Sequence, residues 1–160
     1  MNVWGVGAVN ELEEALAGYK SLPFILALKD ESVTFPEDGE QKIVVTTMQD
    51  VGRYVAASLD LPKWEPISRI VGDRISGNEL VELVKKVTGR ALTVTRVPVT
   101  EISGTLQKPE LDFGYRFYYQ LLDAIAKGRI DFEATLNAVF PHIKTTTVAE
   151  YLERHWSARN

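Results

Sequence analysis

Few residues of this 160-residue chain have the type and spacing to do chemistry. Gly5-Val6-Gly7-Ala8-Val9-Asn10 supplies two of the three glycines of a phosphate-cradling loop. A predicted helix follows, then a strand ending at Lys29-Asp30, which puts Asp30 where a ribose-binding acid would stand. The third glycine, however, is Asn10, and the strand ahead of the loop would be only Asn2-Val3-Trp4. A flexible apolar loop before a helix accounts for the same residues. His142 and His155 are the only histidines, and neither has a second ligand at metal spacing. They read as surface or helix-capping residues, and no metal site is expected. No serine sits in a nucleophile elbow. Asp50, Asp73 and Glu79 stand where turns and helix starts use acids, so each is read as structural.

The densest functional signal is aromatic. Phe113-Gly114-Tyr115-Arg116-Phe117-Tyr118-Tyr119 holds five aromatic residues in seven. On a helix, Phe113, Phe117 and Leu121 share one face, while Tyr115, Tyr118, Tyr119 and Leu122 share the other. A helix apolar on both sides is either buried throughout or lines a pocket on one side. Core packing is the plainer of the two. In a pocket wall, tyrosine hydroxyls would orient an aromatic or polyketide-like ligand, or donate a proton.

The elements that must position these residues are organised around the stretch from Thr46 to Trp64. It leaves the β-branched run Ile43-Val44-Val45, turns helical at two threonines, and stops at Pro62. Thr47 with Asp50 three residues on predicts an N-cap with an acid in the first turn. Val51, Tyr54, Val55, Ser58 and Leu59 are expected on one buried face, with Gly52 and Ala56 leaving room for a neighbour. Upstream, residues 10–17 read as a short helix and residues 24–28 as a buried strand. Ser32-Val33-Thr34-Phe35 pairs with that strand after a turn at Lys29-Asp30-Glu31. Pro36-Glu37-Asp38-Gly39 is a turn, with Pro expected at its first central position. Downstream, residues 67–71 read as a short strand. Ser76-Gly77-Asn78-Glu79 is a capping box, and Leu80, Leu83, Val84 and Val87 are the buried stripe of a helix ending at Gly89. Glu82, Lys85 and Lys86 are its solvated face. Residues 92–97 alternate as a half-buried strand, and residues 100–112 read as loop or short helix. A long helix from Phe113 stops at Gly128. Residues 134–140 add a helical piece, and Thr147 with Glu150 starts the last helix, up to Trp156.

Hydrophobic residues make up 45% and charged residues 25%, ordinary values for a soluble globular chain. The net charge of −4 provides no basic surplus for nucleic acid. With no cysteine, disulfides and thiolate chemistry are excluded. No apolar run is long enough for a bilayer, and Met1-Asn2-Val3-Trp4-Gly5 lacks the positive start of a signal peptide. One domain over residues 1–160, in the cytoplasm and with no membrane partner, is the expectation.

Thr47, Asp50, Gly52, Ala56 and Leu59-Asp60-Leu61-Pro62-Lys63-Trp64 resemble a segment of NmrA-like proteins, atypical short-chain dehydrogenase/reductases related to isoflavone-reductase-like enzymes and common in fungi. Further segments are similar to the same family in order and spacing. They are Ile70-Val71-Gly72-Asp73-Arg74, Lys86-Val87-Thr88-Gly89, Phe140-Pro141-His142-Ile143-Lys144 and the last helix. The resemblance covers most of residues 24–156. It implies an α/β, partial Rossmann-like fold that lacks the N-terminal dinucleotide-binding half, with a helical C-terminal region. No positions here match the family's cofactor loop or catalytic lysine, so catalytic residues are not assigned. No cofactor is expected for this chain alone, and NADPH only if a partner completes the site. By resemblance the substrate cleft is lined by the C-terminal helices and by the loop matching Asn2–Gly7, which makes Trp4, Phe113, Tyr115, Tyr118 and Tyr119 the candidate substrate-binding residues.

Three functions follow as expectations. The first is an oxidoreductase-related protein binding a small apolar ligand in a fungal-type secondary-metabolite pathway. The second is a non-catalytic regulatory or interaction protein. The third is an inactive, truncated NAD(P)-dependent reductase. Apolar surface left by the missing half would favour a homodimer or a protein partner, with Trp4, Val6, Phe24 and Leu26 as its expected residues.

Overall fold

The computed structural model describes residues 25–156. The expected elements over residues 1–24, including the Gly5–Gly7 loop and Trp4, lie outside them. Strand β1 (Leu26–Ala27) is shorter than the expected 24–28, because the chain tightens at once into a 3₁₀ turn, Leu28–Asp30. Strand β2 (Ser32–Pro36) then pairs antiparallel with β1, Leu26 opposite Val33. The turn that follows differs from expectation. Pro36 is its first residue rather than a central one, accepting from the Gly39 N–H at 3.2 Å. Glu37 as well as Gly39 takes positive φ, at 51° and 78°.

Strand β3 (Lys42–Val45) leads into helix α1 (Met48–Ser58) and returns as β4 (Asp73–Ser76), antiparallel to β3 with Lys42 opposite Ser76. Helix α2 (Gly77–Thr88) starts on the expected capping box: the Glu79 N–H donates to Ser76 Oγ, and the Ser76 N–H donates to Glu79 Oε2 at 2.8 Å. It ends on Gly89 at φ 72°, a left-handed cap that costs glycine little. Strand β5 (Thr93–Val97) comes back parallel to β2, giving a three-stranded sheet of order β1-β2-β5 beside the two-stranded β3-β4. Everything after β5 is helical: α3 (Val99–Leu106), α4 (Phe113–Ala126), α5 (Leu136–Val139) and α6 (Val148–Trp156). Helix α4 packs on β2 and α3, and α6 packs on α2. Between them lies one apolar core, with Val33 and Phe35 from β2, Leu80 and Val84 from α2, Ile102 from α3, Leu122 and Ile125 from α4, and Leu152 and Trp156 from α6.

Two strand expectations are corrected. Residues 67–71 form no ladder. Their backbone groups bond to a distant segment instead: the Arg69 N–H donates to Thr135 Oγ1 at 2.8 Å, the Arg69 carbonyl accepts from the Thr135 and Leu136 N–H groups, and Asn137 clamps Val71 through Oδ1 and Nδ2. Strand β5 is not half-buried either. Thr93, Val94, Thr95 and Arg96 are all exposed and only Val97 reaches the core, because β5 is an edge strand.

Gly77 marks the tightest joint. A Cβ there would lie 2.6 to 2.7 Å from ring atoms of Phe35, itself 2% exposed. Gly77→Ala is therefore expected to destabilise the fold by about 2–3 kcal/mol through overpacking. Gly104→Ala, in the open on α3, is expected to gain up to about 1 kcal/mol of helix propensity. Urea unfolding of both variants checks the contrast.

Candidate functional site

Phe113, Tyr115, Tyr118 and Tyr119 line neither of the two concavities described below. Phe113 and Tyr115 sit in the first turns of α4, 83% and 65% exposed. Tyr118 and Tyr119 are half-buried against the core, ring edge to ring face at 5.5 Å. Their hydroxyls serve neighbours: Tyr118 bonds Thr34, and Tyr119 donates to Glu101 Oε1 at 3.4 Å. Burial pushes the Tyr118 phenol up, which suits a hydroxyl kept neutral for packing. Helix α4 is thus buried on its C-terminal half and bare at its N-terminal end. Trp4 lies outside the described residues. Leu26, expected on a bare surface, is 1% exposed.

The structure instead brings together two threonine runs far apart in sequence, Thr46-Thr47 ahead of α1 and Thr145-Thr146-Thr147 ahead of α6. Each caps its helix as expected. Thr47 Oγ1 accepts from the Asp50 N–H at 3.1 Å, and Thr147 Oγ1 accepts from the Glu150 N–H at 3.2 Å. Between them lies Asp50, fully buried. Its Oδ2 accepts from the Thr146 N–H at 2.8 Å, and its Oδ1 accepts from the Arg53 guanidinium. Burial alone would raise the Asp50 carboxyl. The Thr146, Arg53 and Thr47 donors outweigh it and hold the group below its usual value. Neighbouring bonds extend the joint. Thr46 Oγ1 accepts from the Gly72 N–H at 3.0 Å and donates to the Ile70 carbonyl. Thr145 Oγ1 donates to the Gly72 carbonyl at 2.9 Å, and Asp73 Oδ2 accepts from the Val148 N–H at 2.8 Å. The structural roles expected of Asp50, Asp73 and Glu79 are what the geometry shows.

Two concavities flank this joint. One is an apolar slot of about 40 Å³, lined by Leu26, Val45, Leu80, Val148 and Leu152 with Thr47, Thr146 and Tyr151 at its polar side. It admits one small apolar group and falls well short of a drug-sized pocket. The other is a polar groove of about 350 Å³ that shares Thr47, Thr146 and Tyr151 with the slot. Arg53, Lys144, Arg154 and His155 line the groove together with one carboxylate, that of Glu150. The His155 ring tilts on Tyr151 at 4.6 Å. Slot and groove together have the size and mixed polarity of a small-ligand site. Both halves of this site went unmarked in the sequence because cap threonines and scattered surface cations carry no spacing signature. The repeated threonine–acid cap was the available signal. Among the described residues no group of His, Asp or Glu is arranged to hold a metal ion, and no helix is long and apolar enough to cross a membrane.

The architecture is that of the isoflavone-reductase-type α/β fold. The solved structure of an isoflavone reductase superposes with a TM-score of 0.64 at 23% identity, covering 77% of this chain and 43% of that one. The NmrA-like family profile matches residues 20–152, and the chain belongs to that family. Among its relatives, an oxidoreductase (BOA1) of Botryotinia fuckeliana is 51% identical over 51 residues, 32% of this chain and 17% of that protein. Phenylcoumaran benzylic ether reductase IRL1 of Ginkgo biloba is 31% identical over 136 residues, 79% of this chain and 44% of that protein. The chain thus spans less than half the length of these curated relatives.

Since Asp50 is held below its ordinary carboxylate value, its ionised form favours the folded state. The stability it contributes is full above about pH 4 and is lost as pH falls through the lowered folded value. Asp50→Asn should cost about 2–3 kcal/mol at neutral pH and flatten the fall in stability below about pH 4. Chemical denaturation across that range checks both.

Proposed function

We propose that residues 25–156 are the substrate-side portion of an NmrA-like oxidoreductase, and that they bind a small ligand in the slot and groove beside Asp50. An apolar group of the ligand occupies the slot between Val45, Leu80 and Val148, and its oxygen-bearing part lies in the groove before Arg53, Lys144 and Arg154. The observation that carries this is that Thr47, Thr146 and Tyr151 line both concavities, within a fold shared with reductases. An oxygenated aromatic or polyketide-like compound has this chemistry. We propose a fungal-type secondary-metabolite pathway as its setting.

The strand-to-helix joints among the described residues do not favour a dinucleotide phosphate. All three have their own acid in the first helical turn, Asp50 on α1, Glu79 on α2 and Glu101 on α3, where a pyrophosphate would meet like charge. NADPH is accordingly assigned to a partner chain, or to a further part of the fold, that completes the site and supplies the hydride. What this chain contributes is placement of the ligand and exclusion of water from its apolar end. A second reading, a non-catalytic interaction protein, is favoured by one observation: the outer face of α1 is apolar and exposed.

Calorimetric titration with eugenol, a small methoxyphenol, and separately with NADPH tests the proposal. Saturable eugenol binding is expected, weakened at least about tenfold by Val45→Phe, which fills the slot, with no saturable NADPH binding. No eugenol binding, or binding indifferent to Val45→Phe, contradicts the ligand site. Tight NADPH binding by this chain alone contradicts the cofactor assignment.

A further inference from the structure

The polar groove is more basic than the chain that carries it. The protein as a whole has a net charge of −4. The groove is lined by Arg53, Lys144 and Arg154 with one carboxylate, that of Glu150. That carboxylate is already committed. Glu150 Oε2 accepts from the Thr147 N–H at 2.8 Å and from Thr147 Oγ1 at 3.0 Å, which closes the cap of α6. Arg154, one turn on from Glu150 along α6, is offset by its charge. Arg53 bonds the buried Asp50 through Nη2, and its side chain is still 51% exposed after that bond. The Lys144 side chain has no hydrogen bond or ion pair among the described residues.

Asp50 and Glu150 thus match the two arginines, and the charge of Lys144 is left over. We propose that the group seated in this groove is an ionised carboxylate, held by Lys144 with Arg53 and Arg154 beside it. The inference rests on the ligand site proposed for the slot and groove, and narrows its ligand to an aromatic acid. A single negative charge balances the groove. A doubly charged phosphate would exceed the one unmatched cation and meet Asp50 and Glu150 at the two neighbouring helix starts. A neutral phenol or ether oxygen would crowd water away from Lys144 and return no opposite charge. A carboxylate pairs with the ammonium as a point charge and accepts N–H bonds from a guanidinium edge. The Gln49 amide, on the same groove, is a neutral donor for a remaining lone pair. A concavity lined by one sign of charge also attracts an anion more strongly than a flat surface does.

Calorimetric titration of the 160-residue chain with vanillate (4-hydroxy-3-methoxybenzoate) and with vanillamide, its neutral isostere, tests this. At about 20 mM salt, vanillate should bind at least about tenfold more tightly than vanillamide, and the ratio should shrink towards one at about 500 mM salt. Lys144→Met should bring the ratio close to one at low salt, whereas Lys144→Arg should keep most of it. Lys85→Met, an exposed change on α2, should leave the ratio as it is. Circular dichroism should be the same for all variants, since both lysines are exposed. A preference for vanillate that Val45→Phe leaves untouched upholds the carboxylate and contradicts the slot. Equal binding of the two compounds, weakened by Val45→Phe, overturns the carboxylate and leaves the ligand site standing. A vanillate preference that survives Lys144→Met or high salt also overturns it. Failure of both compounds to bind overturns this inference and the ligand site together.

Discussion

A single buried carboxylate organises the joint on which this structure turns. Asp50 is fully shielded from water, yet its pKa is held down by hydrogen bonds from the Thr146 N–H and Arg53 and by the cap exchanged with Thr47. An unpaired charge in that position would be intolerable. The bonds that satisfy it also tie the start of α1 to a segment 96 residues later in the chain. Long-range contacts of this kind carry a closure cost, and apolar burial around them has to offset it. Here Leu80 and Leu152, both fully buried, line the slot beside the joint.

The same joint explains why a stretch without a sheet partner is well placed. Residues 69–72 run between Thr46, Thr135, Asn137 and Thr145, whose side chains, with the Thr135 and Leu136 N–H groups, make the bonds a neighbouring strand would make. Close packing limits the alternatives. A Cβ on Gly72 would come within 2.5 Å of the Val45 carbonyl oxygen, so β3 and this segment meet backbone to backbone. Polar stitching of this density fixes the walls of the slot and groove to about the precision a ligand site needs. It also consumes the polar face of α1, which leaves the apolar face outward.

Much of the fold was legible in the sequence, and the reasons differ by element. Caps were plain, because a threonine or serine with an acid three residues on has a local, geometric meaning: Thr47, Ser76 and Thr147 all cap as expected. Helix α4 and its stop at Gly128 followed from periodicity and a cheap positive φ. On α1 Tyr54 and Ser58 are buried as expected, whereas Val55 and Leu59 are exposed, because periodicity counts apolar residues. In this helix a buried acid and two hydroxyl side chains outrank Val55 and Leu59. Strand 67–71 failed for a related reason: its β-branched pattern is real, but its hydrogen-bond partners are Thr46 and residues 135–137, through side chains and backbone N–H groups, and not a neighbouring strand. The candidate site was not legible at all. Aromatic clustering drew attention to Phe113 and Tyr115, which are exposed, whereas slot and groove are built from residues brought together only by the long-range bonds to Asp50.

Amide hydrogen exchange followed residue by residue tests the central claim most directly. If Asp50 ties α1 to the run before α6, the amides of Thr146, Val148 and Gly72 should exchange only on global unfolding, at the same limit as core amides such as Val84 and Leu122. Fast exchange at Thr146 and Val148 while the core remains protected would show that the two segments part independently, and would contradict the account.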